Sequence, residues 1–231
     1  MNGPRSDSNR RTDVAWLALV VASLAGWIVL TIAIMNKVAI PYDTSWLALA
    51  TSWSAWNDAW NVLSTIGNYP MIPLGLGLVA WLWWTKRRRE AILVLAILAA
   101  ATVASEALKA ITARPRPSGP VPGIPGVVYS YPSGHALEDV MILGMYSVRL
   151  WRSSKPPWLK VGFALLSAIL CVLIGIARVA LNVHYPSDIL AGFLGGLLFL
   201  GWYAYGTRDG SWASQPGTSL SGLHLTRRAP A

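Results

Sequence analysis

Cysteine is nearly absent from this chain: Cys171 is the only one in 231 residues. A single thiol leaves no internal disulfide and no cysteine set for a metal. Its place in the apolar run AILCVLIGI suits a small buried hydrophobe. Charge is scarce as well. Asp, Glu, Lys and Arg make up 13% of the residues against 54% hydrophobic ones, and the mean hydropathy is +0.46. That balance excludes an ordinary soluble domain and implies one integral membrane unit at this length. No internal repeat is visible. No small-residue cleavage site follows the first apolar run, which therefore reads as an anchor and not as a removable signal.

What the chain has instead is a series of apolar segments. Crossing a bilayer takes about 20 such residues, and six candidates stand out near 14–36, 69–85, 90–111, 135–152, 159–177 and 187–206. The fold class this predicts is all-α, a six-span transmembrane helix bundle. Residues 14–206 form the membrane domain, 1–13 a cytoplasmic tail, and 207–231 a flexible, Gly/Ser-rich cytoplasmic tail in which His224 is solvated. Between the first and second spans, Trp46, Leu49, Trp53, Trp56, Trp60 and Leu63 recur at alternating spacings of three and four. This predicts one amphipathic interfacial helix, capped by Thr44, closed by Gly67 and lying in the outer headgroup layer. It is either an anchor packed on the bundle or one wall of a lipid entry gate.

The net charge of +9 is a topology signal. With the N-terminus in the cytoplasm, 14 of the 19 Lys and Arg residues fall inside, among them the run Lys86, Arg87, Arg88 and Arg89. Both termini are then cytoplasmic, and no nucleic-acid partner is implied. The outer side keeps Lys37, Lys109, Arg114, Arg116 and Arg178. All but Lys37 belong to or adjoin three polar clusters at the ends of apolar segments, where charge is costly unless it is used.

The first cluster is Lys109 with Arg116 and Pro117. Glu106 and Lys109 share a helix face, and Pro115 and Pro117 put Arg116 on the loop beyond. Lys109 alone also fits a snorkelling interfacial lysine. The second is Pro132-Ser133-Gly134-His135, reached through a Pro/Gly-rich loop at 118–131 that reads as ordered turns. Ser133 can cap the fourth span and Gly134 allows close backbone approach, so that the helix N-terminus can bind phosphate beside His135. An ordinary capped helix has the same look. The third is Arg178, His184 and Asp188, with Pro186 in the first turn of the last span. Asp188, about one turn from His184, can accept a hydrogen bond from one imidazole nitrogen and leave the other as a nucleophile. Metal ligation by His135, His184 and Asp188 competes with this reading, but the nearby cations repel a divalent ion. Glu138, one turn after His135, either tunes that imidazole or pairs with a cation of a neighbouring span.

In order and spacing these clusters resemble the signature of the type 2 phosphatidic acid phosphatase superfamily. That signature is a Lys, six residues, Arg-Pro; then PSGH; then Ser-Arg, five residues, His, three residues, Asp. The resemblance covers roughly residues 70–205 and departs at Ala177, where the family usually carries Ser. It implies that Lys109, Arg116, Ser133, Gly134 and Arg178 hold the phosphoryl oxygens. His184 then attacks phosphorus with Asp188 orienting it, and His135 protonates the leaving oxygen, with no metal or cofactor. The implied substrates are lipid phosphates of the outer leaflet. A polyprenyl diphosphate such as undecaprenyl diphosphate ranks ahead of phosphatidate and phosphatidylglycerophosphate. A lipid-linked phosphotransferase, a non-catalytic phosphate or lipid transporter and a haloperoxidase remain as alternatives; oligomeric state is not legible.

Overall fold

A computed structural model of the chain describes residues 7–118 and 129–208. Most of the expected Pro/Gly loop at 118–131, and the C-terminal tail with His224, lie outside the described residues. The described part is helical throughout: α1 (Asp7–Met35), α2 (Pro41–Thr51), a 3-10 turn at Ser54–Trp56, α3 (Asn57–Asn68), α4 (Met71–Trp84), α5 (Arg88–Thr112), α6 (Gly134–Trp151), α7 (Pro157–Ala180) and α8 (Pro186–Gly206). The only pairing of strand type among these residues is an isolated bridge between Pro115 and Tyr129. Proline sits in the first turn of α2, α7 and α8, where its missing N–H removes no hydrogen bond.

Among the described residues, five segments are long and apolar enough to cross a membrane: Thr12–Met35, Ser54–Trp84, Arg88–Thr112, Pro157–Ala180 and Pro186–Gly206. The helix expected to be the fourth span, α6, has 18 residues and carries Glu138, Asp139 and Arg149. At 1.5 Å per residue it reaches about 27 Å, close to the thickness of a bilayer core. Its charges are tolerated because it is the central helix, flanked by α8 and α7 and touched by α3, α4 and α5.

The expected Trp-rich helix is not one helix. The chain bends at Ser52–Trp56, and Trp46, Trp53 and Trp60 meet across the bend, with ring centroids 6.5 and 6.0 Å apart. Thr44 does not cap α2. That helix starts at Pro41, and the Thr44 hydroxyl donates back to the Pro41 carbonyl at 3.1 Å. Residues 57–68, expected on the interfacial helix, form α3, which packs along α7 and is continuous with α4 within the Ser54–Trp84 segment. The second apolar segment therefore begins about one helix earlier than its hydropathy suggests. The reason is composition: α3 holds Asn57, Asp58, Asn61, Ser64 and Thr65 among its apolar residues.

Close backbone approach sets the α6–α8 contact. A Cβ on Gly196 would lie 2.7 Å from the Leu137 carbonyl oxygen and 2.7 Å from Val140 Cβ; one on Gly192 would lie 2.6 Å from the Ser133 carbonyl oxygen. Backbone atoms of a packed helix cannot step aside, so only glycine fits. Gly196→Val is expected to lower the melting temperature in detergent markedly, at a cost of at least ~2 kcal/mol. Gly162→Ala on α7, where a Cβ meets nothing within 4 Å, is expected to leave it unchanged or raise it. Equal behaviour of the two variants would refute this account of the interface.

Candidate active site

One end of the bundle gathers the end of α5, the start of α6, the end of α7 and the start of α8, and all three polar clusters with them. α5 stops at Thr112. Ala113 turns into the left-handed region with φ 43° and its N–H reaches the Lys109 carbonyl. The following Pro-Arg-Pro stretch is laced to its surroundings. The Ser130 N–H donates to the Arg114 carbonyl at 2.9 Å, Ser118 N–H to Asn182 O at 3.0 Å, and Arg116 Nη1 to Val183 O at 3.1 Å. On the other strand of the loop, Ser133 N–H donates to the Asp188 carbonyl at 3.0 Å. The described ends of this loop are thus held without regular secondary structure.

Ser133 is the N-cap of α6, its hydroxyl accepting from the Ala136 N–H at 3.5 Å. Gly134 lies directly under Lys109: a Cβ there would sit 3.6 Å from Lys109 Nζ. Lys109 also pairs with Glu106 at 2.6 Å, on the shared face that the spacing implied. Arg116 is buried and Arg178 half-buried, and the Nε of each has no partner among the described residues. Arg178 Nη1 donates to Ser64 Oγ of α3 at 2.7 Å. A hydroxyl beside Arg178 therefore comes from a different helix than the position occupied by Ala177, which is fully buried. Lys109, Arg116, Arg178 and His184 all lie within electrostatic range of His135, whose Nε2 is buried without a partner.

His184 is 1% exposed. Its Nδ1 lies 2.9 Å from the Ser130 carbonyl oxygen and 3.5 Å from Asp188 Oδ2. The hydrogen-bond acceptor at normal distance is thus a backbone carbonyl, with the carboxylate just behind it. Nδ1–H facing that carbonyl leaves Nε2 with its lone pair. Burial pushes the His184 imidazole down to about 4; the Asp188 bond and charge oppose this, and the Arg178 and Arg116 guanidiniums add to it. The ring is neutral at neutral pH, as a nucleophile must be.

The residue that spacing did not single out is Arg114. It donates to Asp188 Oδ1 at 2.5 Å, to Ser187 Oγ at 2.7 Å and to Asp43 Oδ2 of α2 at 2.6 Å, and it stacks on the Tyr185 ring at 3.9 Å. Asp43 in turn accepts from Ser187 N–H at 2.9 Å and Ser187 Oγ at 2.6 Å. Asp188 Oδ2 accepts from Tyr185 N–H at 2.9 Å. Burial works against the Arg114 charge, but the two carboxylates outweigh it and raise its already high proton affinity. The Arg-Pro-Arg-Pro repeat was the available signal, and the buried partner Asp43, some 70 residues upstream, was invisible to it. Glu138 has Lys109 and Glu106 of α5 as charged neighbours. Among the described residues no group of three His, Cys, Asp or Glu side chains could hold a metal ion.

Cations from α5, the loop after it and α7 thus gather near two imidazoles at one end of a helical bundle whose long helices are apolar enough to cross a membrane. Comparison with known proteins gives the family. The PAP2 superfamily model matches residues 89–211, more than half of the chain, and the protein belongs to that superfamily. It is 28% identical over 131 residues to phosphatidylglycerophosphatase B of Bacillus subtilis, a match covering 55% of this chain and 63% of that protein. It is 43% identical over 68 residues to an undecaprenyl-diphosphatase of Sulfolobus acidocaldarius, covering 29% of each. The crystal structure of a transmembrane PAP2-type phosphatidylglycerolphosphate phosphatase from Bacillus subtilis superimposes with a TM-score of 0.65 at 22% identity, over 81% of this chain and 94% of that one. At that identity the likeness concerns the fold.

The buried neutral imidazole has a thermodynamic consequence. In the unfolded chain a histidine takes up a proton near pH 6.5; in the folded protein His184 does so only near 4. Between those values the unfolded state binds more protons, so stability falls as the pH drops from about 6.5 to 4 and levels off below. Wild type is expected to lose up to ~3 kcal/mol more than His184→Gln over this window. Melting curves of both proteins in detergent between pH 7 and 4 check this; parallel curves would refute it.

Proposed function

We propose that this protein is a membrane-embedded lipid phosphatase that works through a phosphohistidine at His184, without a metal. The observation that carries the proposal is the convergence of Lys109, Arg116, Arg178 and His184 on His135, with Arg178 and Arg116 also beside the buried His184. The three cations and the Gly134 N–H, with the Ser133 hydroxyl, neutralise the phosphoryl oxygens as charge spreads in the transition state. His184 Nε2 forms the N–P bond as the P–O bond breaks, and His135 gives its proton to the leaving oxygen. Water then attacks phosphorus, His135 takes the water's proton, and phosphate and free His184 result. Asp188 positions the imidazole through the rigid start of α8. Both its oxygens are engaged by Arg114 and the Tyr185 N–H, which supports a positioning role over metal ligation.

The bilayer arrangement is part of the same proposal. α6 and the α3–α4 pair bring the crossings to six, α2 and its tryptophans lie at the interface, both tails are cytoplasmic, and the site faces outward. A lipid phosphate reaches it from the outer leaflet. Polyprenyl diphosphate ranks first, in keeping with the undecaprenyl-diphosphatase that is 43% identical over 68 residues, followed by phosphatidylglycerophosphate and phosphatidate.

Phosphate release by purified protein in detergent tests this, with polyprenyl diphosphate compared against phosphatidylglycerophosphate and phosphatidate in the presence of EDTA. Release is expected to survive EDTA, to fall by about 10³-fold or more in His184→Ala, and by about 10²-fold or more in His135→Ala. Substantial turnover by His184→Ala would sink the phosphohistidine route. No release from any of the three lipids would direct attention to transfer onto an acceptor or to transport.

A further inference from the structure

The proposed chemistry leaves one buried carboxylate unused. Asp139 is 0% exposed, and neither of its oxygens has a hydrogen-bond partner among the described residues. It sits on α6 four residues after His135, so the two side chains share a helix face about one turn apart. From α7 it is faced by Arg178 and Cys171, and its neighbour on α6 is Glu138. From α3, Gly67 lies against it: a Cβ there would sit 3.1 Å from Asp139 Oδ2. Arg178 is the charged neighbour that Asp139 and His135 have in common.

Two electrostatic problems meet here. A buried carboxylate without a partner is strongly unfavourable unless positive charge stands close by. His135, for its part, has to carry a proton to a leaving oxygen in the midst of Lys109, Arg116 and Arg178, whose repulsion opposes a further positive charge. Each group supplies what the other lacks. We infer that Asp139 is a positioning residue for the general acid: its carboxylate is the fixed counter-charge that keeps His135 in the imidazolium form until the leaving oxygen takes the proton. Asp139 itself forms and breaks no bond. The proton leaves His135 with the alcohol or phosphate leaving group, and His135 regains one from the attacking water. Glu138, by contrast, has a cation of α5, Lys109, as the positive charge beside it.

This inference rests on the phosphatase reading above, and leaving-group dependence separates the two. An alkyl lipid phosphate needs a proton on its leaving oxygen; p-nitrophenyl phosphate does not, because nitrophenolate departs as the anion. The quantity to compare is kcat/KM, which ends at the first irreversible step and so excludes the later attack of water. For Asp139→Asn, kcat/KM at neutral pH is expected to fall about 10- to 100-fold with the alkyl substrate and by less than about 3-fold with the aryl one. His135→Ala should show the same selectivity in stronger form. The ratio of the two values does not depend on how much of the variant is folded, so partial misfolding cannot imitate the result. Equal losses with both substrates would assign Asp139 to Arg178 or to packing and overturn the inference, and so would no loss with either. Wild type inactive toward both esters would instead overturn the phosphatase reading, and the inference with it.

Discussion

The guanidinium of Arg114 is shared between carboxylates from two distant parts of the chain, Asp43 on α2 and Asp188 on α8, and the active-site end of the bundle hangs on that bridge. Taking one member away would leave a buried charge without its partner, which costs several kcal/mol. With all three present, α2, the loop after α5 and the start of α8 become one unit. Asp188 then has no freedom to wander, and neither does the Tyr185 N–H that it accepts from. The result is a site on loops and helix ends, ordinarily the mobile parts of a bundle, with the rigidity expected of helix interiors. Rigidity is what electrostatic stabilisation of a transition state needs, since donors that must reorganise lose most of their worth.

Charge at this end is deliberately unbalanced. Arg114 is matched by two carboxylates and Lys109 by Glu106, whereas Arg116 and Arg178 keep buried Nε atoms with no partner among the described residues. The opposite end of the bundle shows the contrast. There Glu90 accepts from Arg149 and from the Tyr203 hydroxyl, Arg149 lies over the Trp81 ring at 4.5 Å, and Arg152 bonds the Thr207 hydroxyl and the Ala204 carbonyl. Those cations are satisfied. They hold helices together, whereas at the other end the guanidinium Nε atoms of Arg116 and Arg178 lie buried without a partner among the described residues.

How much of this could be read from the sequence followed from how local each cause is. Lys109 with Glu106, the stop of α5 before Pro115, the Ser133 cap and Pro186 at the start of α8 all depend on residues within a turn of one another, and spacing found them. Hydropathy located α1, α5, α7 and α8 because each is a long and strongly apolar run. It misplaced the second segment because α3 is half polar and lies against α7, where Ser64 bonds Arg178. The Trp spacing was real, yet a bend at Ser52–Trp56 lets the rings stack across two helices, and periodicity cannot see a bend that keeps register. The Ser130 carbonyl at His184 Nδ1 was out of reach for a different reason: a backbone atom leaves no mark in side-chain pattern.

Two layers of the site therefore have different origins. Helices α5 to α8 carry the spaced motifs, and they bring the three polar clusters together by local rules of capping and helix ending. α2 and α3 carry no motif, yet they contribute Asp43 to the Arg114 bridge, Ser64 to Arg178 and the small Gly67 against Asp139. The bend before α3 is what makes those three contacts possible. A single straight helix from Pro41 to Asn68 would span about 42 Å, too long for Asp43 and Gly67 both to touch the same end of the bundle. Breaking it lets α2 cover the loop layer while α3 descends beside α7. A stretch whose tryptophans suggest a role at the membrane surface thus also backs the three polar clusters, supplying beside Arg178 the hydroxyl that Ala177 cannot.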